Sequence, residues 1–155
     1  MGLDYQEMGE LLENFKHVQK AHEQFIRKFL TEMGMRGIAQ TKKLTPVDTG
    51  ELRNRWELST VFRRGDELYI VLTNPLYYAS FVEDGHMQKA RWVPGKWKGK
   101  RFVYDREAKT GMMLKNKWIP GQHMARIALT KLEQQIPARY DKAFKQFMHD
   151  MGVGD

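Results

Sequence analysis

The sequence predicts an α+β fold in one domain spanning 1–155, and three observations predict it. A long stretch with helical apolar spacing opens the chain. Two alternating runs joined by a glycine-containing turn follow, and a second helical stretch closes it.

The first element is a helix. Met8, Leu11, Leu12, Phe15, Val18, Phe25, Ile26, Phe29, Leu30 and Met33 recur at helical spacing, with charged and amide residues between them. Asp4, with Glu7 three positions on, has the spacing of a capping box at its start. Gly34 and Gly37 weaken its far end, and Pro46 pushes Thr45 out of helical conformation, so the helix is expected to reach about Lys43.

A β-hairpin comes next. Trp56, Leu58, Thr60 and Phe62 alternate with their neighbours, the turn is Arg63-Arg64-Gly65-Asp66, and Leu68, Ile70 and Leu72 alternate after it. Asn74-Pro75 ends the hairpin, and Tyr77 to Asp84 fits a short helix closed by Gly85. An irregular β insertion at about 87–118 follows. Its strand pieces are Trp92-Val93, Arg101 to Tyr104, Met112 to Leu114 and Trp118-Ile119, and Pro120-Gly121 closes the region. Met124, Ile127, Ala128, Leu132, Tyr140, Phe144, Phe147 and Met148 mark a last helix. Pro137 inside it predicts a kink or two successive helices.

With 155 residues, 41% of them hydrophobic, the chain can bury a core of about 70% of its unfolded surface. It has no cysteine, which excludes disulfides, thiolate nucleophiles and cysteine-ligated zinc. The start is acidic rather than basic, Gln6 breaks the myristoylation pattern, and no apolar run approaches the ~18 residues of a membrane span. The sequence therefore reads as a soluble protein with no membrane partner.

Few residues are arranged for catalysis. Asp48-Thr49-Gly50 matches the aspartic protease signature, but Glu51 follows where a small residue belongs. Pro46 also interrupts the delivering strand, and no second copy exists. Asp48 and Glu51 have capping-box spacing instead. His17 and His22 miss metal-ligand spacing by one residue, and Gly85 separates Glu83 from His86. The glycines of Pro94-Gly95-Lys96-Trp97-Lys98-Gly99-Lys100 stand one residue too close for a phosphate loop, and neither serine, Ser59 or Ser80, lies in a nucleophile elbow. No catalytic residue, cofactor or metal site is expected.

The distinctive feature is charge. From Lys89 to Lys117 ten basic residues stand against Asp105 and Glu107, an excess greater than the net +7 of the whole chain. Trp92, Trp97, Phe102, Tyr104 and Trp118 are interleaved with them. The candidate contact residues are Lys89, Arg91, Trp92, Lys96, Trp97, Lys98, Lys100, Arg101, Lys115 and Lys117. Three readings stay open: a nucleic-acid surface, inward aromatics under a solvated basic face, or docking on an acidic neighbour. Self-repulsion of these charges predicts an arm ordered mainly in an assembly, with an acidic face of a neighbouring subunit favoured over nucleic acid.

Three blocks resemble one family. They are Thr45-Pro46-Val47-Asp48-Thr49-Gly50-Glu51-Leu52-Arg53, Asn74-Pro75-Leu76-Tyr77-Tyr78-Ala79-Ser80-Phe81-Val82-Glu83-Asp84-Gly85-His86, and Ile119-Pro120-Gly121-Gln122-His123-Met124. In order and spacing, across about residues 5–150, they resemble the head–tail joining family of tailed phages, the neck, tail-component or minor tail protein Z-like proteins. The motif positions are Pro46, Asp48, Thr49, Gly50, Leu52, Arg53, Tyr78, Glu83, Gly85 and Pro120. The resemblance implies an α+β structural virion protein without enzyme activity, made in the host bacterial cytoplasm. It also implies a homo-oligomeric ring, commonly hexameric, between the portal side and the tail tube. Its implied partners are head-completion, tail-tube or sheath proteins, in a phage or a phage-tail-like particle. As architecture, Asp48 is expected to cap a turn, Gly50 to permit close approach, and Leu52 and Trp56 to face the core while Arg53 and Arg55 stay exposed. The insertion between His86 and Trp118 sets the chain apart from shorter members and leaves its neighbour open.

Overall fold

The computed structural model describes residues 5–152 and shows an α+β protein. Asp4, the expected first cap, lies outside the described residues. Two compact units form. One combines the chain up to Pro75 with the chain from Met124 onward, and the other is Leu76–His123.

In the first unit, α1 (Tyr5–Leu44) runs for 40 residues, about 60 Å at 1.5 Å per residue. Phe29, Met33, Gly37 and Thr41 are its buried residues, a stripe at every fourth position. That stripe meets α4 (Met124–Asp150), whose buried residues are Met124, Ala128 and Leu132. Phe29, Met33 and Leu132 form the core cluster, extended by Tyr140 and Ala143. Aromatic rings prolong the seam: Phe25 stacks on Phe147 at 4.8 Å, and Phe29 meets Tyr140 edge-on at 5.4 Å.

The two glycines expected to weaken α1 instead set its packing. A Cβ on Gly34 would lie 2.8 Å from Ile70 Cδ1 and 2.9 Å from Leu58 Cδ2, so the bare backbone lets the hairpin approach the helix. A Cβ on Gly37 would make ordinary contact with Leu132 at 3.4 Å. Pro137 does not divide α4 in two. The helix is assigned without interruption through it, the ring is exposed, and one hydrogen bond of the ladder, to the Glu133 carbonyl, is forgone.

A short helix α2 (Glu51–Asn54) leads into the hairpin strands β1 (Glu57–Leu58), β2 (Phe62–Arg64), β3 (Glu67–Tyr69) and β4 (Leu72–Thr73). β1 pairs with β4, and β2 with β3. The register slips by one residue between the two pairs, since Leu58 faces Leu72 whereas Phe62 faces Tyr69. The first strand therefore carries a bulge. There the Val71 N–H donates to Ser59 Oγ at 2.9 Å, a side chain standing in for the ladder. The bulge breaks the expected single alternation: Trp56 and Leu58 point inward, but Phe62 is exposed and stacks on exposed Tyr69 at 6.0 Å.

In the second unit, α3 (Ala79–Asp84) begins two residues later than expected and ends at Gly85, whose φ of 88° suits a residue without Cβ. Strands β5 (Gly85–Gln88), β6 (Arg91–Lys98), β7 (Arg101–Tyr104), β8 (Gly111–Leu114) and β9 (Lys117–Pro120) follow. β5 pairs with β9, and a three-stranded sheet has the order β7-β6-β8. The end of this unit folds back on α3: the Gln122 N–H donates to the Val82 carbonyl at 2.8 Å, and the His123 N–H to the Glu83 carbonyl at 3.0 Å. The unit thus extends on both sides of the 87–118 insertion.

Candidate functional site

The first motif block sits where α1 ends. Thr45 is 4% exposed. Its hydroxyl donates to the Thr41 carbonyl at 2.7 Å and accepts the Trp56 indole N–H at 2.9 Å. Leu52 and Trp56 are buried, and Arg53 and Arg55 are exposed. The Leu52 carbonyl accepts from Asn74 Nδ2 at 2.9 Å, which ties the end of the hairpin to α2.

The expected Asp48 cap is not what the structure shows. The residue preceding α2 is Gly50, in the left-handed region at φ 84°, and no side chain caps that helix. Asp48 is exposed, while Thr49 Oγ1 accepts the Glu51 N–H at 3.3 Å. Gly50 turns the chain too sharply for Asp48 to sit one residue before the helix, and a Thr-based turn takes the cap's place. Pro46 is exposed in the preceding loop.

Of the second block, Tyr78 stands before α3, Glu83 lies within it and Gly85 closes it. Tyr77 is 85% exposed, and Tyr78 meets it edge-on at 5.3 Å. In β9, Pro120 pairs opposite Gly85. A Cβ on Gly85 would lie 2.6 Å from the Ile119 carbonyl oxygen, so these two motif positions need a bare backbone between them.

The basic segment is sorted by its register. Trp97 faces Phe102, Lys98 faces Arg101, Lys96 faces Val103 and Trp92 faces Met113. Facing residues share one side of a sheet and alternate residues change sides. Lys96, Lys98 and Arg101 therefore lie on one side with Trp92 and Met113. Trp97, Phe102 and Tyr104 lie on the other with Arg91, Val93, Met112 and Leu114. This second side is the more enclosed, because Val93, Phe102, Met112 and Leu114 are half-buried. Trp97, set edge-on to Phe102 at 5.3 Å, is still 59% exposed.

On the cationic side Lys96, Lys98 and Arg101 are exposed, as are Trp92 and Met113. Asp105 stands 4.0 Å from Lys96 Nζ. Lys100 stands in the β6–β7 turn, Lys89 and Lys115 between strands, and Lys117 opposite Gln88 in the other sheet. The ten candidate residues thus do not form one patch. Sequence reasoning missed the partnership of Met113 with Trp92, which only the register reveals.

The opening turns of α1 form a second apolar surface. Leu11, Leu12, Phe15 and Val18 are 48%, 59%, 64% and 51% exposed, although their spacing is that of a buried stripe. Further along, Glu23 joins the helix to the hairpin. It accepts from Arg27 within α1 and from Arg63 of β2 at 2.8 Å, and Arg27 also donates to the Val61 carbonyl at 3.0 Å. The hydrogen bond from Arg27 does most to hold the Glu23 carboxyl below its ordinary range, and the Arg63 charge adds to it against the effect of desolvation.

No group of three His, Asp or Glu side chains among the described residues is placed to hold a metal, and no described helix is long and apolar enough to cross a membrane.

A family model described as "Bacteriophage HK97-gp10, putative tail-component" matches residues 9–85, from α1 to the end of α3. The third block and the basic sheets lie beyond that match. Phage-like element PBSX protein XkdI of Bacillus subtilis is 40% identical over 74 residues, covering 46% of this chain and 43% of that protein. The uncharacterized protein YqbI of the same organism is 39% identical over 84 residues, covering 43% of this chain and 47% of that protein. The chain spans less than half the length of these curated relatives. No solved structure matches significantly. Through residues 9–85, therefore, the chain belongs to the HK97-gp10-like family of bacteriophage tail components.

Proposed function

We propose that the protein is a structural subunit of the head–tail junction, a neck or tail-completion ring that works by assembly and not by catalysis. The observation that carries this reading is the pair of large apolar surfaces left open, one on α1 within the tail-component family match and one on the β6–β8 sheet beyond it. Exposed patches of this kind on a soluble chain serve to meet other protein surfaces. A ring of identical subunits, six in the simplest case, uses such patches pairwise, and it closes when the rotation suits. The neighbours in this reading are head-completion, tail-tube or sheath proteins, and the site of action is the virion.

The test is genetic. A phage or prophage deleted for this chain is expected to make filled heads and tails that fail to join, and supplying the chain restores joining. Joined particles without it would contradict the reading.

A second reading has one observation in its favour. Lys96, Lys98 and Arg101 line the same side of a hairpin, with Lys100 at its tip, as a phosphate-binding surface would. Binding of duplex DNA that falls steeply with salt would favour it, with a log–log slope near the number of phosphates neutralised.

A further inference from the structure

We propose that the β6–β7 ribbon holds the phosphate backbone of duplex DNA with its cationic side and does not read the bases. The inference rests on the nucleic-acid reading of this surface and is independent of the ring.

The register makes the ribbon. β6 pairs with β8 from Arg91 to Pro94 and with β7 from Gly95 to Lys98, so two strands alone run on from Lys96 to the turn at Gly99. Lys96, Lys98 and Arg101 share one side of it, Lys100 stands in the turn, and all four are exposed. From Gly95 to Tyr104 the chain has no acidic residue. Lys98, Lys100 and Arg101 make no ion pair among the described residues, and Lys96 has the 4.0 Å approach of Asp105. On the opposite side Trp97 packs edge-on to Phe102 at 5.3 Å, so the cations stand on a packed backing.

Density of charge selects the partner. Lys96 and Lys98 are two residues apart, about 6.7 Å along a strand, and Lys98 faces Arg101 across about 5.5 Å. A duplex presents one charge per about 1.7 Å of its axis, so about six phosphates lie within 10 Å of its length. A protein face would need carboxylates crowded as closely, and their self-repulsion would weaken its own fold.

Lysine is also depleted at protein–protein contacts, whose centres are apolar. The ribbon's exposed apolar side chains, Trp97 and Tyr104, lie on the other side. Trp92 and Met113 share the cationic side, but at its far end, about 13 Å along the strand from Lys96. The charge run alone favours an acidic neighbour; its placement on a narrow, polar ribbon favours a polyanion. So few contacts bind weakly, at about 10⁻⁴–10⁻⁶ M in physiological salt, which lets a duplex slide past.

The test is fluorescence anisotropy of a short labelled duplex with the full-length protein. Four phosphate contacts give a log–log slope of about −3.6, so affinity should fall about 150-fold between 50 and 200 mM salt. Lys98→Gln with Lys100→Gln should flatten that slope by about 1.8. Lys16→Gln with Lys20→Gln removes the same charge from exposed positions of α1 and should leave the slope unchanged. Duplexes of unrelated sequence should bind within about twofold of one another.

A slope that the ribbon pair leaves alone, or that the helix pair flattens equally, would put the DNA elsewhere. That result overturns the ribbon and spares the nucleic-acid reading. A strong sequence preference would contradict a contact made to phosphates alone. No binding even at 50 mM salt would defeat both readings, and ribbon variants that then blocked head–tail joining would assign the surface to an acidic protein.

Discussion

The indole N–H of Trp56 donates to Thr45 Oγ1 at 2.9 Å, and that hydroxyl in turn donates to the Thr41 carbonyl at 2.7 Å. Both side chains are buried, so this chain of bonds locks the end of α1 to the start of the hairpin. Thr45→Val keeps the shape but removes the acceptor, and it is expected to cost about 1–3 kcal/mol by leaving a buried indole N–H unpaired. Thr45→Ser should cost much less. Urea denaturation of the two variants checks this, and equal losses would show that the hydroxyl is not what matters.

Gly37 sits in the middle of α1 with room for a methyl group against Leu132. Gly37→Ala is expected to raise stability by about 0.5–1 kcal/mol, from helix propensity alone. Gly34→Ala should gain less, or lose, because its Cβ must displace Ile70 and Leu58. Thermal unfolding of the pair gives the order.

Asp48 is exposed and caps nothing, so Asp48→Asn and Asp48→Ala should both change stability by less than about 0.5 kcal/mol. Gly50→Ala, forced to φ 84°, should cost about 1–2 kcal/mol. A large loss at Asp48 in the same denaturation experiment would restore it as a cap.

Glu23 makes the clamp between α1 and β2 sensitive to acid. Its carboxyl is held below the ordinary range, so its contribution is present at neutral pH and is lost as pH falls through the folded-state value. Glu23→Gln should therefore destabilise the protein at pH 7. The difference from the parent should shrink on acidification, and a difference that stayed constant would contradict the assignment.

The β6–β7 turn, with Lys98 and Lys100 around Gly99, is exposed in the subunit. Limited trypsin digestion should cut between Lys96 and Lys109 in the free protein and spare that stretch in the assembled particle. Equal protection in both states would show that the segment is complete without a partner.

What was legible in the sequence depended on periodicity. The two long helices, the hairpin and the helix closed by Gly85 each rest on a repeat or a turn residue that their own segment contains. The bulge at Ser59 was not legible, because the alternation from Trp56 to Phe62 reads as continuous whether or not one residue is unpaired. The roles of Gly34 and Gly37 were hidden too. A glycine's cost to a helix is local, whereas its benefit lies in Leu58, Ile70 and Leu132, distant in sequence. β5 escaped notice because Gly85–Gln88 is too short to alternate visibly, and its partner β9 lies some thirty residues on. The basic segment announced itself by charge. Which residues share a side followed only from the register that pairs Lys98 with Arg101 and Trp92 with Met113.

The central claim is that this chain acts as a ring where head meets tail. Electron microscopy of the native particle, with the subunit located by a bound antibody fragment, tests it most directly. The account predicts several copies arranged with rotational symmetry around the tail axis at the head–tail junction. A single copy, a position elsewhere in the particle, or density without rotational symmetry would contradict it.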